Sequence, residues 1–288
     1  MTLATPQAPA TPQRRLPLTP EVAEKYAALQ ACLAGLGSAV TAFSGGIDSS
    51  LVAYLAHRAL GPRALAVTSG SESLTRDDLS LTERLAAEWG MTHRVIRTRE
   101  TERPEYLANP VNRCYFCKTT LYSDLTALAR AEGYAVVLNG INRDDWGDHR
   151  PGLQAAQENG VRAPLSECGF SKDDIRMLAR HLGLTNAEKP QAACLSSRVP
   201  YGHSITIPVL KQIEGAERAL RELGFGQLRV RHHEDVARIE VPPQDFERVL
   251  AQREAIDAAL RALGYRYVTL DLRGFRSGSL NEGLKGGS

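Results

Sequence analysis

Ala39-Val40-Thr41-Ala42-Phe43-Ser44-Gly45-Gly46-Ile47-Asp48-Ser49-Ser50 decides how this 288-residue chain is read. The apolar run 39–43 predicts a buried strand, and Leu51 to Ala56 continue as a helix. A strand, a Gly-rich turn and a helix N-terminus together make an anion site, because free backbone N–H groups and the positive helix end point at one spot. Gly45 and Gly46 allow close backbone approach to a phosphate, and the hydroxyls of Ser44, Ser49 and Ser50 can add hydrogen bonds. Asp48 would repel a phosphate on its own, and makes sense with a divalent cation such as Mg2+ between the two. No Lys follows Gly46, which excludes a Walker A loop.

Around this loop, strand and helix signals alternate. Strands are expected near 38–44, 64–68, 93–97 and 135–139, and helices near 21–35, 47–60, 75–89, 115–131 and 171–182. Such alternation implies an α/β fold with a parallel sheet covered on both faces, and ligands bind at the carboxyl ends of its strands. That rim would hold the Ser44 loop, the segment 68–71 with Ser69, and Asn139-Gly140-Ile141-Asn142-Arg143-Asp144-Asp145. Gly140 allows close backbone approach there, and Asp144 or Asp145 could hold Mg2+ beside Asp48; the competing reading is an ordinary polar turn. After residue 203 the pattern changes to a helix near 208–223, strands near 228–231 and 236–241, a helix near 244–263 and a strand near 266–272. This order fits a second, smaller antiparallel α+β domain. The expected division is a disordered leader 1–18, a nucleotide domain 19–203, a small domain 204–276 and a flexible tail 277–288.

Composition narrows the function. Hydrophobic residues make up 43% and charged residues 24%, and the net charge of +2 demands neither nucleic acid nor an acidic membrane as partner. No apolar run is long enough for a membrane span, and the leader lacks a signal-peptide core, so a cytoplasmic protein is expected. Five cysteines without an export signal argue against a disulfide framework. Cys114-Tyr115-Phe116-Cys117 opens a helix, and Cys194 lies in a distant polar loop with Ser196, Ser197 and Arg198. C-x-x-C plus a third cysteine reads as a redox dithiol, a zinc site short of one ligand, three ligands of a 4Fe–4S cluster, or ordinary buried thiols. Cys32 reads as core, and Cys168 has no assigned role. Arg198 could fork onto a phosphate or carboxylate, or be a surface arginine. Arg229 and Arg231 alternate along a strand, so both face one way and suit an anionic nucleotide, unless that face is merely solvated.

The Ser44 loop resembles the S-G-G-x-D-S-S loop of the PP-loop ATP pyrophosphatases, which adenylate a carbonyl or carboxylate oxygen and release pyrophosphate. The segment 139–145 resembles the N-G-T-N-x-D-D element of the same enzymes, with Ile141 in place of Thr. With N-R-C-Y-F-C-K at 112–118, A-C-L-S-S-R-V-P-Y-G at 193–202 and R-V-R-H-H-E-D-V-A-R-I-E-V at 229–241, the chain from about Thr19 to Asn281 resembles the LarE family of ATP-dependent sulfur transferases. The resemblance implies adenylation of pyridinium-3,5-biscarboxylic acid mononucleotide and replacement by sulfur, a step toward the nickel-pincer nucleotide cofactor of lactate racemase. It implies ATP and Mg2+ at the Ser44 loop and a 4Fe–4S cluster on Cys114, Cys117 and Cys194; sacrificial sulfur donation from Cys194 is the alternative. Glu217 and Glu240 resemble acidic positions near the family's sulfur-transfer site and could hold a metal there. A homo-oligomer, up to a hexamer, is also implied. A tRNA thiolase of the same superfamily, an amidating ligase and a nucleotide sensor with a structural zinc are the competing readings. The modest charge speaks against the first, and the three cysteines against the second.

Overall fold

A computed structural model describes residues 16–147, 151–190, 193–276 and 280. The expected leader and tail therefore lie almost wholly outside the described residues. The chain begins with α1 (Pro20–Ala34), β1 (Ala39–Ala42), α2 (Ile47–Leu60), β2 (Ala64–Ser69), α3 (Arg76–Glu88) and β3 (Thr92–Ile96). It continues through α4 (Pro104–Leu107), α5 (Arg113–Glu132), β4 (Val136–Leu138), α6 (Pro151–Glu158), α7 (Pro164–Glu167) and α8 (Lys172–Leu182). The four strands form a wholly parallel sheet in the order β3-β2-β1-β4. The α/β class read from the sequence is the observed one.

Side chains of β1 alternate between two cores, as the period of a strand requires. Ala39 packs with α1, α2 and α8 (Val22, Leu51, Val52, Leu178), and Val40 packs on the other face with α5 and α6 (Tyr122, Leu125, Ala155). This double coverage buries α2 on most of its surface and sets its first turn at the carboxyl edge of β1. Helix α6 has no counterpart among the sequence expectations, since its short span carries only a few apolar residues.

The rest of the described chain comprises α9 (Ile207–Glu222), β5 (Arg229–His233), β6 (Val236–Glu240), α10 (Phe246–Ala251), α11 (Arg253–Ala262) and β7 (Tyr267–Leu270). These strands make a second sheet with its own core around Leu220, Phe225, Val230, Ile239, Ile256 and Leu260. The antiparallel expectation holds for β5 and β6 only; β7 lies parallel to β6. The intervening α10–α11 crossover supplies the long connection that a parallel neighbour needs. The single helix expected at 244–263 is two, because Gln252 leaves helical geometry at φ −103° and ψ 14°. Between the sheets, Tyr106, Leu195, Val199, Ile205, Leu210 and Ile213 form a small core of their own. It fixes the segment after Cys194 against both halves.

Candidate active site

Helices α1, α3, α8 and α9 are capped by the side chains of Thr19, Thr75, Ser171 and Thr206. Helix α2 starts at Gly46 with no capping side chain, which leaves its first-turn amides for a ligand. Gly45 turns the chain with φ +71°, and a Cβ there would press on Thr82 at 3.1 Å. Ser49 Oγ donates to the Gly46 carbonyl at 3.0 Å and accepts the Ser44 N–H at 3.2 Å, so Ser44 and Ser49 stiffen the loop together. Ser50, expected at the ligand, is fully buried; its hydroxyl accepts from Asn186 Nδ2 at 2.8 Å, and the same amide donates to the Gly45 carbonyl at 3.1 Å. Successive helical residues point about 100° apart, so Ser49 and Ser50 cannot both face the loop.

The second nucleotide segment is locked to the first. A Cβ on Gly140 would stand 2.5 Å from Ser49 N and 2.8 Å from Asp48 C, so the close approach that Gly140 permits is to the α2 backbone. Gly140→Ala should cost about 2–3 kcal/mol of stability through overpacking against atoms that cannot yield. Urea unfolding is the check, and a midpoint equal to wild type would contradict the packing argument. Asn142 Nδ2 reaches Asp48 Oδ2 at 3.5 Å, while its backbone N–H donates to Asp145 Oδ2 at 3.1 Å. Asp144, the expected nucleotide residue, turns away: its Oδ2 accepts the Lys172 N–H at 2.8 Å. Asp145 is the buried carboxylate that shares a cavity wall with Asp48.

That cavity, of about 410 Å³, runs from the Ser44 loop past Ser69 and Thr98 to Cys117, Lys118 and Cys194. Cys114 and Cys194 are exposed and Cys117 is half-buried. Burial pushes the Cys117 thiol up to about 12 against the pull of Lys118, and Cys114 and Cys194 lie within its electrostatic reach. Of the three thiols singled out in the sequence, Cys117 and Cys194 line one end of the cavity, and Cys114, one turn before Cys117 on α5, lies within electrostatic reach but outside the lining. Among the described residues, no group of three His, Cys, Asp or Glu is gathered to hold a metal ion. Cys32 and Cys168 lie outside the cavity lining, and Cys32 is half-buried rather than core, with Arg162 Nη2 donating to its sulfur at 3.4 Å.

Three arginines hold the turn that carries Cys194. Arg198 is buried: its Nε and Nη2 fork onto Glu217 at 2.8 and 3.2 Å, and its Nη1 donates to the carbonyls of Ala193 and Cys194 at 2.7 and 3.2 Å. Arg231 forks onto Glu240 at 2.9 and 3.2 Å and donates to the Ser197 carbonyl. Arg113, also buried, donates to the Ser196 carbonyl at 2.8 Å and to Asn109 Oδ1 at 2.7 Å. Arg229 sits over the Phe275 ring at 4.3 Å and donates to the Arg276 carbonyl; burial and the nearby Arg231 and Arg198 lower its pKa. Arg198 and Arg231, expected at a ligand, pair with the protein's own carboxylates and loop, and Glu217 and Glu240, expected at a metal, are engaged by these arginines. Glu217 additionally takes Arg221 at 3.1 Å and the Val230 N–H at 3.2 Å, and Glu240 takes Arg238 at 3.3 Å.

A parallel sheet whose first strand feeds a Gly-Gly turn and an uncapped buried helix, with an Asn-Gly segment packed on that helix, defines an enzyme of the PP-loop ATP pyrophosphatase superfamily. The Asparagine synthase family model matches residues 26–144. An uncharacterized protein of Synechocystis sp. is 45% identical over 252 residues, 86% of this chain and 94% of its own. The pyridinium-3,5-bisthiocarboxylic acid mononucleotide synthase of Lactiplantibacillus plantarum is 41% identical over 264 residues, 91% of this chain and 96% of its own. An uncharacterized protein of Methanocaldococcus jannaschii is 28% identical over 245 residues, 83% of this chain and 90% of its own. The chain belongs to the LarE family of ATP-dependent sulfur transferases. Among the described residues no helix is long and apolar enough to cross a membrane.

Proposed function

We propose that the chain adenylates the carboxylates of pyridinium-3,5-biscarboxylic acid mononucleotide with ATP and replaces the activated oxygen with sulfur carried at the Cys194 turn. The observation that supports this most is that the Ser44 loop and Cys194 line one cavity. The Lactiplantibacillus relative is named for synthesis of the corresponding dithio product. A substrate carboxylate oxygen attacks the α-phosphorus of ATP, and pyrophosphate leaves toward the α2 N-terminus and the Ser44 loop. Asp48 and Asp145 would hold the Mg2+ that accompanies the phosphates. Adenylation turns a poor leaving oxygen into AMP, and sulfur then attacks the acyl carbon as AMP departs. We assign the nucleotide chemistry to residues 19–203 and the holding of the sulfur-bearing turn to 204–276, in a homo-oligomer acting on a small molecule without nucleic acid.

For sulfur supply, three thiols from two segments match the donor set of a 4Fe–4S cluster with one open iron. Their surroundings suit it: Arg113 and Lys118 bring positive charge to the negative thiolates. When bound, such a cluster would present sulfide at the open iron. Lys118 and Arg113 then orient and neutralise, and Arg198 fixes the backbone of Cys194. Iron and acid-labile sulfide per chain after anaerobic purification test this, with the mass of the Cys194 peptide after one turnover. About four of each and an unchanged Cys194 are expected. No iron, with Cys194 converted to dehydroalanine as its sulfur passes to the product, would replace the cluster with single-use donation. No thiocarboxylate from either preparation would overturn the function proposed.

A further inference from the structure

Glu100 is a buried charge that these steps leave unused. It opens the turn Glu100–Glu102 after β3, lines the cavity and is 2% exposed. Its Oε1 accepts the Ser73 hydroxyl at 3.1 Å, and Ser73 is hydrogen-bonded to Ser71 at 2.8 Å. Its Oε2 is enclosed by protein and has no hydrogen-bond partner among the described residues. No described cation pairs with it, although cavity neighbours are matched: Asp78 with Lys189 at 2.7 Å, and Asp145 facing Lys172 at 3.9 Å. A buried carboxylate in this position is costly until a positive charge arrives.

The position is informative. The Ser73 carbonyl accepts the Leu195 N–H at 3.0 Å, so the segment that carries Glu100's partner is tied directly to the residue after Cys194. Glu100 also raises the Cys117 thiol electrostatically, which sets it at the sulfur end of the cavity. Lys118 lines the same end and makes no hydrogen bond or ion pair among the described residues. This end therefore presents one negative and one positive pole.

We infer that Glu100 is the counter-charge for the ring nitrogen of a cationic heteroaromatic substrate, while Lys118 receives that ring's carboxylates. The inference rests on the substrate class proposed above and adds the residue that selects for the ring's charge. A ring whose carboxyl carbon is seated at Cys194 carries its nitrogen to the same end, because both belong to one small ring. A neutral ligand hydroxyl would need to touch Oε2, which is enclosed; a ring charge acts across the wall, and the low local dielectric preserves that interaction.

The test is calorimetric titration, without ATP, of N-methylpyridinium-3,5-dicarboxylate and of pyridine-3,5-dicarboxylate, whose ring is neutral. Both go into the wild-type protein and into Glu100→Gln, which keeps the side chain's size. Glu100→Gln should weaken the cationic probe about tenfold, about 1.4 kcal/mol, and leave the neutral probe within about twofold of wild type. Its thermal midpoint should be no lower than wild type, since a buried charge has been removed. Equal losses for both probes would make Glu100 structural and overturn the inference, as would an unchanged affinity for the cationic one. Failure of the wild-type protein to bind either probe would overturn the substrate reading and this inference with it.

Discussion

Cys194→Ser should lower thiocarboxylate formation by about 10³-fold or more while pyrophosphate release in the first turnover stays within about threefold of wild type. The separation follows from geometry. In the proposed mechanism adenylation rests on Ser44, Ser49, Asp48 and the amides of α2, which line one end of the cavity. Cys194 lies at the other, exposed at the start of the turn Leu195–Arg198. Serine keeps the shape of the turn, whose backbone is held by hydrogen bonds to Arg198, Arg113 and the Ser73 carbonyl that do not use the Cys194 sulfur. Oxygen in its place can neither be transferred as sulfur nor serve as a good soft ligand for iron, so both supply routes fail. Single-turnover quench with mass detection of the product reads one half, and a coupled pyrophosphate assay reads the other. Thiocarboxylate formation at even a tenth of the wild-type rate would remove Cys194 from the sulfur path.

The parts of this enzyme that were readable from sequence are those whose partners are local. The strand, Gly-Gly turn and helix at 39–56 need only neighbours in the chain, and α2 runs over the residues expected. Adjacent like residues were harder. Ser49 and Ser50, or Asp144 and Asp145, are interchangeable as letters, yet one of each pair faces the cavity and the other faces protein. Long-range pairs were not readable. Arg198 reads as a ligand fork, and its pairing with Glu217, nineteen residues on, is a contact that only the fold brings about. Glu100 sits in the polar stretch Arg99-Glu100-Thr101-Glu102, which reads as solvated surface; only the fold buries it. The parallel placement of β7 likewise depends on where α10 and α11 carry the chain, not on the strand's own pattern.

Glu217→Ala should destabilise the protein by about 3–5 kcal/mol, the usual cost of removing one partner from a buried ion pair. Glu217 is wholly buried and accepts from Arg198, Arg221 and the Val230 N–H, so its loss strands a buried guanidinium and a backbone donor together. Burial opposes the Arg198 charge, and Glu217 is what holds its pKa above the ordinary guanidinium value. The consequence reaches chemistry because Arg198 Nη1 binds the carbonyls of Ala193 and Cys194. Without Glu217 the fork is free to rotate, and the sulfur-bearing turn loses its link to α9. Glu217→Gln separates the two effects. It keeps the side chain's size and one acceptor oxygen but removes the charge, so it should cost less stability than Ala while still slowing sulfur transfer more than pyrophosphate release. Guanidinium unfolding and the two single-turnover assays measure this. If both reactions slowed equally in the Gln variant, Glu217 would be acting on the fold as a whole, and Arg198 would have to be assigned to the cavity rather than to the turn.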